Sequence, residues 1–365
     1  MDTERYSRQL ILPGFGLEAQ NRLLEAKVLV VGAGGLGCPA LQYLAAAGIG
    51  NIGIIDDDLV SLSNLHRQIL YATTDVGRLK VDAAKEKLAG INPEVSISNY
   101  PVKIDRNNAI EIIKQYDFIF DGSDNFATRY LVNDACALLK KPLVFAAVSG
   151  YEGQIAIFNL ADDEHRTTNY RDIFPVEPMA GEILNCAETG VLGVLPGIIG
   201  TMAAAEIIKL ITGIGTPLIN KLSQYNLLTC EHYNMSITPG NDYNLPKTEH
   251  EFLVSNINNP EAILPSYIEI DAEMLKSLQE QPSTLVVDVR ERHEFPKITD
   301  ANIFQAPMSN FVSLLESDLP QKNIVFLCQH GIRSVAAAEA FHEKYGAEKN
   351  IFSLKGGIVK WRNHF

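Results

Sequence analysis

Ten residues constrain this chain more than any others: Val28-Leu29-Val30-Val31-Gly32-Ala33-Gly34-Gly35-Leu36-Gly37. Four consecutive apolar residues read as a buried parallel strand, covered on both faces. They run into Gly-x-Gly-x-x-Gly, and the apolar stretch Leu41 to Ala47 reads as the helix that follows. Glycine permits the tight turn and a close approach of backbone to phosphate. The helix N-terminus adds N–H donors and a positive dipole for an anion. Taken alone, the motif suits NAD, FAD or ATP.

The next hundred residues favour a triphosphate. The apolar run Ile52 to Ile55 ends in Asp56-Asp57-Asp58, an acid at the distance that suits a ribose hydroxyl. Ser63-Asn64-Leu65-His66-Arg67-Gln68 and Lys80 follow, with more positive charge than a dinucleotide needs. Phe118-Ile119-Phe120 leads to Asp121-Gly122-Ser123-Asp124-Asn125. This sets Asp124 at a strand's carboxyl end, where it could hold Mg²⁺ against phosphates. Short apolar runs at 28–31, 52–55, 95–98, 117–120 and 143–147 alternate with helical segments, which is the pattern of a doubly wound α/β sheet.

Together with Arg5-Tyr6-Ser7-Arg8-Gln9, these residues resemble the MoeB/ThiF adenylyltransferases, bacterial relatives of the ubiquitin-activating enzymes. The resemblance covers residues 1–240 and implies a Rossmann-like, doubly wound ATP-binding domain. It implies ATP-dependent adenylation of the C-terminal glycine of a small β-grasp sulfur-carrier protein ending in Gly-Gly. Carried over residue by residue, it assigns ATP binding to Gly35, Asp56, Ser63, Asn64, Arg67, Gln68, Lys80, Asp124 and Asn125, with Mg²⁺ at Asp124. Residues 5–25 read as an amphipathic helical stretch, whose Arg8 by itself would be a solvated surface arginine. The resemblance instead sends Arg8 to the triphosphate of a neighbouring subunit, and so implies a homodimer.

Residues 161–189 lose periodicity and read as a long surface loop, the length at which loops are usually functional or disordered. It contains Asn185-Cys186-Ala187-Glu188-Thr189-Gly190, and the resemblance makes Cys186 the nucleophile that takes the activated carrier as a thioester. Family members commonly carry two Cys-x-x-Cys pairs for a structural zinc. Here the first reads Asn169-Tyr170-Arg171-Asp172, and Met235 to Leu245 holds no cysteine. We therefore expect no structural zinc and a loop held by packing or hydrogen bonds. Cys38 stands near a helix N-terminus but reads better as a small packing residue, and Cys136 reads as core. Gly153 to Leu160 reads as a strand, Pro196 opens a helix capped by Gly213, and Leu222 to Ile237 reads as a returning strand or hairpin.

Pro239 to Pro265 is rich in Asn, Pro and short polar residues and reads mostly as a linker, placed at 241–262. About twenty flexible residues would reach roughly 25 Å. Residues 263–365 read as a second, smaller α/β domain. Ser283 to Arg290 and Asn323 to Leu327 are strand-like, and the latter runs into Cys328-Gln329-His330-Gly331-Ile332-Arg333-Ser334 and a helix over 335–345. A cysteine between strand and helix N-terminus is surrounded by N–H groups that stabilise a thiolate or persulfide. With Asp288-Val289-Arg290 and Leu354 to Trp361, the segment resembles a single rhodanese domain. Lys297 to Pro307 departs from the usual Gly-His-Ile-Pro-Gly-Ala. The resemblance assigns a persulfide loop to Cys328, Gly331, Arg333 and Ser334, with Arg333 adding positive charge.

At 365 residues the chain is long enough for two cores, and a net charge of −13 argues against nonspecific nucleic-acid binding. The charged start Met-Asp-Thr-Glu-Arg does not read as a signal peptide. The apolar stretch Gly190 to Ile211 is broken by Pro196, Glu206 and Lys209, so no membrane span is expected. Five widely spaced cysteines suit a reducing cytoplasm. The expected function is carrier adenylation followed by sulfur transfer from a Cys328 persulfide, charged by thiosulfate or a cysteine desulfurase, to give a carrier thiocarboxylate. One alternative is a ubiquitin-like conjugation system in which Cys186 passes a thioester onward. Another is an NAD-dependent oxidoreductase with a regulatory rhodanese domain, against which Arg67, Lys80 and Asp124 weigh. Molybdopterin, thiamine, tRNA thiolation and a secondary metabolite all remain open as destinations of the sulfur.

Overall fold

A computed structural model describes residues 2–175, 177, 190–240, 243–254, 267–292, 294, 296–298, 300, 302–317, 319–329 and 331–361. The chain divides into two compact units, one carrying the described residues up to Val254 and the other those from Tyr267 onward.

The first unit opens with helices α1 (Ser7–Leu10) and α2 (Gly16–Glu25). The single amphipathic stretch expected over 5–25 is broken because Gly14 and Gly16 adopt φ of +80° and +61°, left-handed values that no α-helix continues through. Strand β1 (Lys27–Val31) then leads through the glycine turn into α3 (Gly37–Ala47), followed by β2 (Asn51–Ile55), α4 (Lys80–Ile91), β3 (Ser96–Tyr100) and α5 (Ala109–Ile113). Next come β4 (Phe118–Asp121), α6 (Phe126–Leu139), β5 (Leu143–Ser149) and β6 (Glu152–Phe158). Helix α7 (Val194–Thr212) and the hairpin β7 (Lys221–Asn226) and β8 (Glu231–Ser236) complete the sheet layer. The eight strands run in the order β3-β2-β1-β4-β5-β6-β7-β8. Strands β1 to β5 pair in parallel, and β6 to β8 add on antiparallel. Each apolar run expected as a strand falls on one of β1 to β5.

The glycine turn is required by packing as well as by ligand access. Gly32 has φ of +90°, and a Cβ there would lie 3.1 Å from Gly122 O. A Cβ on Gly37 would collide with the Gly32 carbonyl. Helix α7 is long and apolar enough to cross a membrane by composition, but half of its apolar window is buried inside the fold. Leu195, Ile199, Ala203 and Ile207 are in the core. Its buried Glu206 accepts the Leu218 N–H at 2.9 Å and pairs with Lys209.

Part of the span read as a linker is structured. Glu249–Val254 forms α8, and its Phe252 is fully buried in the cluster around Tyr170, Phe145 and Phe158. Arg106 lies 5.2 Å from the Phe252 ring centroid and donates to its carbonyl at 2.6 Å. A lone aromatic in a polar segment carried too little local periodicity for the sequence to reveal this anchor.

The second unit contains β9 (Ile268–Ile270), α9 (Ala272–Gln279), β10 (Thr284–Asp288), β11 (Ile303–Gln305) and α10 (Phe311–Leu315). It continues with β12 (Asn323–Leu327), α11 (Ile332–Tyr345), β13 (Asn350–Leu354) and α12 (Gly357–Lys360). All five strands are parallel, in the order β11-β10-β12-β13-β9. Both faces are covered. Phe326 packs with Phe311 and Phe341 on one side, and Leu327 with Leu354 and Ile358 on the other. That double burial explains why Asn323 to Leu327 is a nearly unbroken apolar run.

Because Phe252 is a fully buried aromatic, Phe252→Ala should destabilise the first unit by about 3 kcal/mol. Urea unfolding of the full chain monitored on this unit would measure it. A change below about 0.5 kcal/mol, the usual size of a surface substitution, would show that α8 is not anchored.

Candidate functional site

The strand order reverses between β1 and β4, and the carboxyl ends of parallel strands at such a reversal open a crevice. A cavity of about 340 Å³ lies there, lined by Gly32, Gly34 and Gly35 after β1, Asp56 to Asp58 after β2 and Gly122 to Asn125 after β4. Arg67, Gln68, Lys80 and Arg129 complete its polar wall.

Two acids hold Lys80 in place. Its Nζ donates to Asp58 at 2.7 Å and lies 3.7 Å from Asp56. Burial pulls the ammonium down, but Asp56 and then Asp58 outweigh it and leave the pKa above the ordinary lysine value. Asp56 accepts the Ala33 N–H at 2.8 Å and the Asp58 N–H at 2.9 Å. Burial nevertheless lifts its carboxyl above the usual range, against the opposing pull of Lys80. The pocket thus holds a fixed cation and a fixed acceptor before any ligand enters, and this preorganisation favours an anionic ligand bearing hydroxyls.

Of the residues expected to bind ATP, Gly35, Asp56, Arg67, Gln68, Lys80, Asp124 and Asn125 line the cavity, while Ser63 and Asn64 do not. Those two lie on the 3₁₀ turn Leu62–Asn64. Ser63 O and Asn64 Oδ1 accept from Arg67 at 3.3 and 3.0 Å, so they orient the arginine rather than face the cavity. Asn125 also caps α6 by accepting the Thr128 N–H at 2.9 Å. Gly35 has a packing reason too, since a Cβ there would meet Pro196 of α7 at 3.2 Å. Arg8 is exposed on α1 and lines no part of this cavity.

Sequence reasoning missed Arg129. It is buried, donates to Ser123 O at 3.2 Å and lies against Phe126 and Phe145. The helix cap at Asn125 was the available signal, because it brings residues one turn further on, Thr128 and Arg129, over the cavity. Arg129 Nε and Gln68 Oε1 are buried and have no hydrogen-bond partner among the described residues. Orphaned buried groups are costly, and a polar ligand in the cavity would satisfy them.

The turn at residues 169–172 is knotted to residues 240 and 243 by hydrogen bonds. Asn169 Nδ2 donates to Tyr243 Oη at 2.5 Å, and Asp172 accepts the Asn169 N–H at 2.7 Å. Asp172 also accepts from Gly240 N at 2.5 Å and from Tyr243 Oη. Tyr170, between these two residues, is stacked among Tyr130, Phe145 and Phe174. Cys186 lies outside the described residues. Cys38 is fully buried, and burial pushes its thiol up to about 12, so it packs rather than reacts. Cys136 is core.

In the second unit, Cys328 directly follows β12 and is fully buried. Gly331 N donates to Sγ at 3.1 Å, and Ser334 Oγ lies 3.5 Å from it. Gly331 takes φ of +90°, and a Cβ there would come 2.8 Å from Gly356 N, so only glycine fits beneath the loop. Arg333 does not offer free charge to the sulfur as expected. Both of its terminal nitrogens pair with Glu294, at 2.6 and 2.7 Å. Glu294 sits in a segment whose chemistry the sequence pattern did not reveal.

With this geometry in view, the comparison with known families is decisive for the first unit: the ThiF family model matches residues 6–245. The chain belongs to the ThiF family. A rhodanese-like domain matches residues 271–364. Over 99% of this chain and 93% of its own length, a Mycobacterium tuberculosis protein named probable adenylyltransferase/sulfurtransferase MoeZ is 38% identical. The Drosophila grimshawi adenylyltransferase and sulfurtransferase MOCS3 is 37% identical over 99% of this chain and 84% of its own length. A sulfur carrier protein adenylyltransferase of Thermus thermophilus is 48% identical over 65% of this chain and 88% of its own. The crystal structure of E. coli MccB with ATP superposes with a TM-score of 0.57 at 22% identity, covering 67% of this chain and 75% of that one, a likeness of fold.

The hydrogen-bonded knot predicts a metal-independent loop base. Protein purified without added zinc should carry well below one zinc per chain, and a chelator should leave its unfolding midpoint unchanged. Tyr243→Phe should cost about 1 kcal/mol in urea unfolding, the worth of a lost hydrogen bond. Stoichiometric, tightly held zinc would show instead that a metal holds the loop.

Proposed function

We propose that this ThiF-family protein adenylates the C-terminal glycine of a small sulfur-carrier protein and then converts it to a thiocarboxylate with sulfur carried on Cys328. The observation that carries the reading is a preorganised Arg67–Lys80–Asp56 pocket at a sheet's switch point, on the same chain as a cysteine cradled by backbone N–H. Its closeness over nearly full length to relatives named for both activities supports the same assignment.

In the first step a carboxylate oxygen of the carrier attacks the α-phosphorus of ATP. The α–β phosphoanhydride bond breaks and pyrophosphate leaves. Arg67, Lys80 and the N–H groups at the start of α3 would balance the charge that develops on phosphate oxygens, while Asp56 accepts from the ribose. Asp124, exposed at the cavity wall, would hold Mg²⁺ together with nucleotide oxygens, a hard-oxygen environment in which the ion neutralises phosphate charge. The orphaned Gln68 and Arg129 atoms would gain partners. In the second unit the Cys328 thiolate attacks the sulfane sulfur of its donor, thiosulfate or a cysteine desulfurase persulfide. With thiosulfate, the S–S bond breaks and sulfite leaves. The persulfide then displaces AMP from the acyl adenylate, and a second thiol, a role we give to Cys186, cleaves the resulting acyl disulfide. The thiocarboxylate leaves, a Cys186–Cys328 disulfide forms, and a cellular dithiol reductant reduces it before the next turnover. Carrying both chemistries on one chain makes the second transfer intramolecular.

We read the working unit as a homodimer in a reducing cytoplasm. Ile11, Leu12, Leu17, Tyr43, Leu192 and Val194, on α1, α2, α3, α7 and their flanks, expose apolar side chains of the kind that mark interaction surfaces. Arg8 stands among these elements and away from its own chain's cavity, which suits action in trans. The free thiols Cys38, Cys136, Cys230 and Cys328 suit reducing conditions.

Mixing inactive Arg8→Ala with inactive Asp124→Ala protein should restore up to about a quarter of pyrophosphate-exchange activity. Half the chains would then be in mixed dimers, each with one intact site, and an arginine supplied in trans can contribute about 10³-fold or more. No recovery in mixed dimers of verified composition would mean that Arg8 acts in cis or not at all.

Adenylation needs no thiol, so Cys328→Ala should retain exchange and lose thiocarboxylate formation. Cys186→Ala should retain exchange and sulfur loading of Cys328, with partial loss of thiocarboxylate. The carrier's mass reports the outcome. Wild-type conversion rates by Cys328→Ala, with thiosulfate as sole sulfur source, would refute the mechanism.

A further inference from the structure

The loop that carries Cys328 is gripped on both flanks by the segment following β10. On one flank Arg290 Nη1 donates to Gln329 Oε1 at 3.1 Å and to Pro296 O at 2.9 Å, while Nη2 holds Asp288 at 2.8 Å. On the other flank the Arg333 guanidinium, in the first turn of α11, forms its two-point pair with Glu294. Glu294 Oε1 also accepts the Glu291 N–H at 2.7 Å. One carboxylate therefore ties the backbone after β10 to the start of α11. The Arg333 side chain is only 5% exposed and that of Glu294 20%, so the pair is largely shielded from water. A two-point arginine–carboxylate pair fixes orientation as well as distance.

We infer that Glu294 is a positioning residue for sulfur transfer: through Arg333 it latches the first turn of α11, and so holds the Gly331 N–H against the Cys328 sulfur. The inference rests on the reading of Cys328 as the sulfur carrier. The chain of contacts is short. It passes from Glu294 to Arg333, back along the backbone to Gly331, and across 3.1 Å to Sγ. Thiolate and persulfide are both anions, and a helix N-terminus with an aimed N–H stabilises them. Because Glu294 balances the Arg333 charge, the backbone supplies that stabilisation and the latch maintains its geometry.

A latch and a charge mask make opposite predictions. If Glu294 merely masked Arg333, removing its charge would expose a cation and lower the Cys328 thiol pKa. If it latches the loop, removing it loosens the N–H contact and raises that pKa. The test uses the full chain and four forms: wild type, Glu294→Gln, Arg333→Gln and the double variant. Alkylation of Cys328 by iodoacetamide is followed across pH by mass spectrometry of its peptide, and thiosulfate:cyanide sulfurtransfer is measured in parallel. Glu294→Gln should raise the apparent thiol pKa and lower sulfurtransfer kcat about tenfold, the scale of one lost charge-assisted hydrogen bond. The thiosulfate KM should move less than kcat. The double variant should be no worse than the poorer single variant, because both break one latch.

Thermal unfolding checks that the second unit stays folded. Should Glu294→Gln unfold it, Glu294→Asp, which keeps the charge at a shorter reach, is expected to shift the pKa in the same direction by a smaller amount. A lowered thiol pKa, a Glu294→Gln protein within about twofold of wild type in both assays, or single losses that multiply in the double variant would each overturn the latch. Wild-type protein that alkylates normally but transfers no sulfur would instead sink the functional reading, while the alkylation profiles still judge the latch.

Discussion

The first unit depends on how closely the end of β1 can approach the end of β4. Gly32 N donates to Ile55 O at 2.9 Å, and Gly122 N donates to Val31 O at 3.0 Å. Three neighbouring strand ends are thereby stitched together at the point where the chain turns into α3. Side chains lock the turn from outside. Asp56 accepts from Ala33 N, and the buried Tyr71 hydroxyl donates to Ala33 O at 2.9 Å. A Cβ at Gly32 or Gly37 would force these backbones apart. The glycines therefore make the crevice as well as leaving room in it, and the residues around it inherit their positions from that closeness.

A second constraint is shared by both units: several charges brought into the protein arrive with oppositely charged partners. Lys80 has Asp58 and Asp56, Arg171 has Asp134, Arg290 has Asp288, and Arg333 has Glu294. An uncompensated buried charge is strongly destabilising, typically by about 3–5 kcal/mol when one partner is removed. Pairing therefore decides where a cation's field points. In the nucleotide cavity the acids hold Lys80 where phosphate would meet it. In the sulfur loop Glu294 matches Arg333, and the anion is left to backbone donors. A paired basic side chain thus lines the cavity in one unit and is tied to the segment after β10 in the other.

The turn at residues 169–172 shows a third use of polar side chains. Asn169, Asp172, Gly240 and Tyr243 converge on one another there, and Tyr170 is sealed in an aromatic cluster. This cluster shares Phe145 with Arg129, which lines the cavity.

Local pattern determined much of this protein. The strands of the first sheet, β10 and β12 of the second, the glycine turn, the α7 cap at Gly213 and the strand–cysteine–helix junction at Cys328 follow from periodicity and from residues that only certain backbones accept. By contrast, β9, β11 and β13 did not stand out in the sequence. Of the seven expected residues that line the cavity, Gly35, Asp56, Asp124 and Asn125 follow strand ends, where chain order and position in space nearly coincide, whereas Arg67, Gln68 and Lys80 were legible through the family resemblance. Other features depended on partners far away in sequence. Ser63 and Asn64 proved to serve Arg67, Arg129 emerged at the cavity, Phe252 turned a stretch of apparent linker into an anchored helix, and Arg333 met Glu294 across 39 residues. Only tertiary structure decides such matters. Spacing along a helix or strand fixes which face a side chain occupies, but the packing of whole elements fixes what that face meets.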